Sequence, residues 1–177
     1  MAGEMVWIDL EMTGLDLEHE SIIEIATIIT DAELNIIAEG PNLAINVSDN
    51  LLANMDEWNT THHTASGLVD RVRNEGVSLA VAIRQTCDFI SANIEIGKAP
   101  LCGNSIHNDR TFLAKEMPEV LELLHYRIID VSTIKELTNR WYPNNTRYKK
   151  KEAHRALDDI IESIEELRHY RKTIFKN

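Results

Sequence analysis

Two carboxylates stand two residues apart in the run Val6-Trp7-Ile8-Asp9-Leu10-Glu11-Met12-Thr13-Gly14. The run is apolar apart from these acids and reads as a strand. Strand side chains alternate between faces, so Asp9 and Glu11 point the same way. Two anions on one face repel, and a cation between them relieves the repulsion. Hard carboxylate oxygens in such a pair suit Mg²⁺ or Mn²⁺. A strand edge with two solvated acids would give the same pattern, so the rest of the chain must decide.

Two later segments carry residues of the same chemical kind. Leu101-Cys102-Gly103-Asn104-Ser105-Ile106-His107-Asn108-Asp109 leaves an apolar strand and enters a helix. Asp109 near that helix N-terminus is favoured by the helix dipole and could equally be a plain capping residue. Asn104, Ser105 and Asn108 could be turn formers. Ala153-His154-Arg155-Ala156-Leu157-Asp158-Asp159 opens the last helix. His154 is the residue type best suited to take a proton from water near neutral pH, with an ordinary pKa of roughly 6.5.

The elements that must position these groups follow from periodicity. Strands are predicted at 5–10 and 21–30, with one or two more over 34–47, broken at Gly40-Pro41. A short helix is expected from Asn50 to Asn59. Ser78 is an N-cap for a helix to about Asn93, facing inward through Leu79, Ala82, Ile83, Phe89 and Ile90. A strand at Ala99–Gly103 precedes a helix at Asp109–Met117, stopped by Pro118. A strand at Arg127–Val131 precedes a helix capped by Ser132 and ending near Trp141. The last helix spans about Glu152 to Lys172. Strands first, then alternating helices and strands, give an α/β fold: a mixed β-sheet, an antiparallel meander followed by alternating strands and helices, flanked by helices. Ligands in such sheets gather at strand ends.

The 177 residues fit one domain, 1–177. No apolar run is long enough to span a bilayer, so no membrane partner is expected. Met1-Ala2-Gly3-Glu4 lacks the basic and apolar regions of a signal peptide. Cys87 and Cys102 have neither metal-site nor disulfide spacing and read as buried thiols. A cytoplasmic location is expected, with an organellar origin left open. The net charge of −11 argues against a large basic surface for long nucleic acid. A nucleic-acid substrate would therefore be short or held locally, with metals supplying positive charge.

In order along the chain, Asp9-x-Glu11, Asp109 after Gly103-Asn104-Ser105, and His154-x4-Asp159 resemble the DEDDh class of 3′-to-5′ exonucleases. Trp7-Ile8-Asp9-Leu10-Glu11-Met12-Thr13-Gly14-Leu15-Asp16, Gly103-Asn104-Ser105-Ile106-x-x-Asp109-Arg110-x-Phe112-Leu113, the block Tyr126 to Leu137, and His154-Arg155-Ala156-Leu157-Asp158-Asp159 are similar to the oligoribonucleases within that class. The resemblance spans nearly the whole chain and implies a ribonuclease H-like fold. It implies that Asp9, Glu11, Asp109 and Asp159 hold two divalent cations, with His154 as general base. The family pattern selects Asp159, whereas four-residue spacing on a continuous helix favours Asp158. Very short RNA, with dinucleotides as endpoint substrates, is the implied partner. Leu15 would wedge against a base and Trp58 stack on one. Ser105, Arg127 and Ser132 would cap the 5′ phosphate, with Tyr126 contributed across a homodimer interface.

Three features stay outside that set. Arg147-Tyr148-Lys149-Lys150-Lys151 reads as a solvated basic loop, with a place near substrate phosphates as the other reading. His62-His63 is assigned no role, because adjacent side chains diverge. Trp7 and Trp141 read as core or interface residues. A related exonuclease of broader range, and a silent binding module on the same fold, are the alternatives. The intact acidic set argues against the second.

Overall fold

A computed structural model describes residues 3–144, 148 and 155–175. Five strands form one mixed sheet in the order β3-β2-β1-β4-β5. They are β1 (Met5–Met12), β2 (Ile22–Thr30), β3 (Ile36–Ala44), β4 (Pro100–Gly103) and β5 (His125–Asp130). β1, β2 and β3 make the antiparallel meander. β4 joins β1 in parallel and β5 joins β4 in parallel. The change of sense falls at β1, which carries the first two acids, so the carboxyl ends of β1, β4 and β5 share one edge of the sheet.

Alternation along β1 sorts its side chains. Val6, Ile8 and Leu10 pack with Ala82, Ile90, Phe112, Leu113 and Val120 on one face. Those partners come from α4 (Leu79–Asn93), α5 (His107–Glu116) and α6 (Pro118–Glu122). Met5 and Trp7 pack on the other face with Val131, Ile160, Ile164 and Tyr170. These belong to α7 (Val131–Trp141) and α8 (Ala156–Thr173). Period two then places Asp9 and Glu11 on the Trp7 side, beneath α8. Trp7 is fully buried and its indole N–H donates to Thr30 Oγ1 at 3.0 Å. Trp141 is exposed.

Several element boundaries depart from the sequence reading. Gly40-Pro41 does not break β3. The pairing slips there, from Asn42↔Ala26 to Glu39↔Ile28. β3 is an edge strand, where a proline's missing N–H costs no ladder bond. The single helix expected over 50–59 is two helices, α1 (Asp49–Ala53) and α2 (Glu57–Ala65). The Ser48 side chain caps the first, and Asp56 caps the second by accepting from the Asn59 N–H at 2.8 Å. A third helix, α3 (Leu68–Asn74), was not expected. Pro118 ends α5 and also opens α6, where proline at the first helical position is favoured. Asp130, not Ser132, caps α7. α8 begins at Ala156 rather than near Glu152. Cys102 is buried as expected, Cys87 only partly so, and both are free. No helix among the described residues is long and apolar enough to cross a membrane.

Candidate active site

Asp9, Glu11 and Asp159 each offer a carboxylate oxygen, and these oxygens lie within 4.8 Å of one another. The first two come from β1 and the third from the first turn of α8, where helix-dipole charge favours an acid. Because α8 starts only at Ala156, Asp159 is its fourth residue and faces the strand, while Asp158 is exposed. Of the two acids, Asp159 is the one that lies beside Asp9 and Glu11. His154, the expected base, lies outside the described residues, as do Arg147 and Lys149 to Lys151.

Asp109 is held differently. It sits in the first turn of α5, buried, and its Oδ1 accepts the Leu10 backbone N–H at 2.9 Å. β4 pairs with β1 only as far as Trp7↔Cys102, and Asp109 takes over the polar partnership further along β1. Its carboxyl is pushed up to about 7, chiefly by burial. Gly103 allows this close arrangement. A Cβ there would stand 2.8 Å from Ile106 Cδ1 and 3.2 Å from the Ile8 carbonyl oxygen.

Glu11 is the most perturbed member. Burial first, then repulsion from Asp159, Glu24 and Asp109, pushes its carboxyl up to about 8. Glu24 stands directly opposite it in the β1–β2 register, and like charges so placed destabilise a sheet. Glu24 is fully buried but is neutralised by an ion pair with Arg71 of α3. Glu11 has no such cation among the described residues, so a metal ion is the charge that fits beside it. A register slip follows at once, from Glu11↔Glu24 to Met12↔Ile22. Such bulges commonly re-aim side chains at functional sites.

His63 joins this group, contrary to the argument from diverging neighbours. Its Nε2–H donates to the Met12 carbonyl at 2.9 Å, and Nδ1 lies 3.9 Å from Glu11 Oε2. Burial holds its pKa below the ordinary histidine value, which favours the neutral ring. His62 points elsewhere, stacked on Trp58 with ring centroids 3.9 Å apart. The divergence of adjacent side chains was correct. One of the two reaches the site on its own.

A cleft of about 410 Å³ opens beside Glu11, lined by Met12, Gly14, Leu15, Asp56, Trp58 and Asn59. Leu15 and Trp58 flank it and are 70% and 60% exposed, too open for core packing. The loop carrying Leu15 is tied down: Thr13 Oγ1 bonds Glu20, and the Ser21 N–H donates to Thr13 Oγ1 at 3.1 Å.

The other expected contacts cluster beyond β4. Ser105 adopts φ +52, a left-handed conformation uncommon for serine. Its N–H donates to Asp130 Oδ1 and Ser132 Oγ, both at 2.9 Å, and the two serine hydroxyls lie 3.1 Å apart. With Asp130 serving as the α7 cap, the Ser132 hydroxyl is released for this pairing. Arg127 and Tyr126 are exposed on β5, the guanidinium carbon 5.2 Å from the Tyr126 ring centroid.

The site thus has an acidic cluster, an open cleft beside it and a hydroxyl pair along one sheet edge. The exonuclease family model, RNase_T, matches residues 6–167. An oligoribonuclease of Vibrio parahaemolyticus is 57% identical over 173 residues, covering 97% of this chain and 96% of its own. A probable oligoribonuclease of Dictyostelium discoideum is 56% identical, covering 97% and 90%. Among solved structures, an exonuclease I from Methylocaldum szegediense superposes with a TM-score of 0.74 at 18% identity. A further exonuclease I structure does so with 0.77 at 12%. These establish the shared fold, and this chain spans only about two fifths of those longer proteins (40% and 41%). The chain belongs to the RNase_T exonuclease family, among its oligoribonucleases, and is a metal-dependent 3′-to-5′ exoribonuclease.

Proposed function

We propose that this exoribonuclease acts on very short RNA, dinucleotides above all, and releases nucleoside 5′-monophosphates. The observation that carries this reading is the confinement of the site. The cleft of Leu15 and Trp58 lies beside β1, and the Ser105–Ser132 pair lies at the ends of β4 and β5. Two strand spacings, roughly 10 Å, separate β1 from β5. The net charge of −11 offers no extended track for a longer strand.

The donor set fits divalent metal: three carboxylate oxygens within 4.8 Å and a Glu11 carboxyl that a cation would allow to ionise. Asp9, Glu11, Asp109 and Asp159 would hold two cations, Mg²⁺ or Mn²⁺. Bound there, they would supply the positive charge that neutralises the scissile phosphate and acidifies the attacking water. His154 takes the proton from that water as general base. Trp58 stacks on a base, its indole already braced by His62, and Leu15 wedges against one. Arg127 forks onto the 5′ phosphate, and the Ser105 hydroxyl donates to it, held beside the Ser132 hydroxyl. Tyr126 reaches a second copy's site in a homodimer, a role supported by its 72% exposure. The two free cysteines accord with a reducing compartment such as the cytoplasm.

The test uses 5′-labelled RNA dinucleotide and heptanucleotide, with Mn²⁺ or EDTA and Asp109→Ala as the inactive control. Fast, metal-dependent loss of the dinucleotide with much slower loss of the heptanucleotide supports the reading. Efficient trimming of the longer RNA that stalls at short products rejects it.

A further inference from the structure

Asn104 stands at the end of β4, between the two helices that carry opposite ends of the proposed site. Its amide nitrogen donates to Ser163 Oγ at 2.8 Å and to Glu166 Oε2 at 3.2 Å, both on α8. Its amide oxygen accepts from Ser132 Oγ at 3.1 Å, on α7. Ser163 Oγ in turn donates to the backbone carbonyl of Asp159 at 2.8 Å. One side chain therefore touches both the hydroxyl pair and the helical turn that presents Asp159.

The far end of this network is anchored. Glu166 is fully buried, accepts from the Tyr170 hydroxyl at 2.9 Å and faces the Lys135 ammonium at 3.5 Å. Each Asn104 amide atom is used, and the Glu166 carboxylate is satisfied on both oxygens. A buried polar network satisfied in this way is stiff and admits few alternative geometries. Aspartate at position 104 would lose both donor bonds and set a second anion against Glu166. Serine or alanine would be too short to span the two helices.

We infer that Asn104 is a positioning residue that fixes the spacing between the 5′-phosphate cap and the Asp159 helix, and so sets the preference for the shortest substrates. The inference rests on the cap reading above. A brace of this kind acts only on substrates that engage both ends of the site at once. A longer RNA, whose 5′ phosphate lies beyond the cap, engages only the acidic end.

The experiment measures kcat/KM for a 5′-phosphorylated RNA dinucleotide, the same dinucleotide with a 5′ hydroxyl, and a heptanucleotide. The variants are Asn104→Ala, Ser163→Ala and Arg127→Ala, each in Mn²⁺. The expected result for Asn104→Ala is a loss of about tenfold or more on the phosphorylated dinucleotide, the scale of a lost hydrogen-bonded brace, with a several-fold smaller loss on the other two. Ser163→Ala, which replaces a small buried residue by a good helix former, shows the same bias to a lesser degree. It decides the matter should Asn104→Ala fail to fold. Equal proportional losses on all three substrates, or unchanged ratios, overturn the inference. Wild-type protein indifferent to the 5′ phosphate, with Arg127→Ala equally indifferent, overturns the cap reading and this inference with it. A wild type that prefers the phosphate and an Arg127→Ala that loses the preference, beside ratios unmoved in both brace variants, overturn this inference alone.

Discussion

Metal and pH should act on stability through Glu11. Its carboxyl is moved from 4.5 to about 8 in the metal-free fold. A folded-state pKa above the unfolded one means the native state holds the proton more tightly. That contribution is complete below about pH 4.5 and is lost as pH rises through 8. Each pH unit of displacement corresponds to about 1.4 kcal/mol, so the upper bound is about 5 kcal/mol. The Glu11 side chain is 21% exposed, and water reaching it lowers this to about 2–4 kcal/mol. For a chain of this size, 1 kcal/mol moves Tm by about 2–4 °C, which gives an expected fall of roughly 5–15 °C. Thermal melts in EDTA between pH 5 and 8.5 should show that fall, and melts in saturating Mn²⁺ should not. Glu11→Gln isolates the effect from the histidines and from Asp109, whose carboxyl is also raised, to about 7: its EDTA melts should lose about half of the slope, and most of the slope above pH 7. An EDTA slope identical in wild type and Glu11→Gln refutes the reasoning, as does a metal-dependent gap that stays constant across pH.

Three other perturbations probe separate parts of the site. Asp109→Asn keeps an oxygen for the Leu10 N–H and should fold close to wild type while losing metal-dependent turnover; Asp109→Ala strands that buried N–H and should be less stable than Asp109→Asn by about 1–3 kcal/mol in denaturant melts. Gly103→Ala forces a methyl against Ile106 and the Ile8 carbonyl, and should cost about 1–3 kcal/mol in the same melts. His154→Ala should retain Mn²⁺ binding by calorimetry yet lose about 10²–10⁴ in turnover near neutral pH, and wild-type-like turnover there rejects the base assignment.

The acidic face of β1 was legible because alternation in a strand is a matter of backbone geometry alone. The placement of Asp109 was legible only in part. A cap and a partner for Leu10 look alike in sequence, and only the pairing of β4 with β1 tells them apart. Position 159 against 158 turned on where α8 begins, and helix starts lie among the least sharply encoded boundaries. Ser132 was read as a cap because serine before an apolar helix usually is one; Asp130, two residues earlier, has the stronger acceptor and takes the role. The split at Asn54–Asp56 was marked by Asp56 itself, an N-cap residue type followed by an acid, Glu57, in the first turn. His63 was missed because it was judged as half of a pair. Nothing local shows that α2 would lean over Met12. The Asn104 network could not be read at all, since its partners come from positions more than two dozen residues away in the chain.

The acidic cluster has an order of arrival as well as a geometry. Asp9 and Glu11 leave the ribosome well before Asp159, which stands on a helix that ends at Thr173. The meander and the β4–β5 pair can form on the ribosome, but three carboxylates cannot meet until α8 is free to dock. A chain halted anywhere before that helix is a sheet without a complete acidic centre. RNA cleavage by this fold is therefore withheld until α8 has been made and has docked.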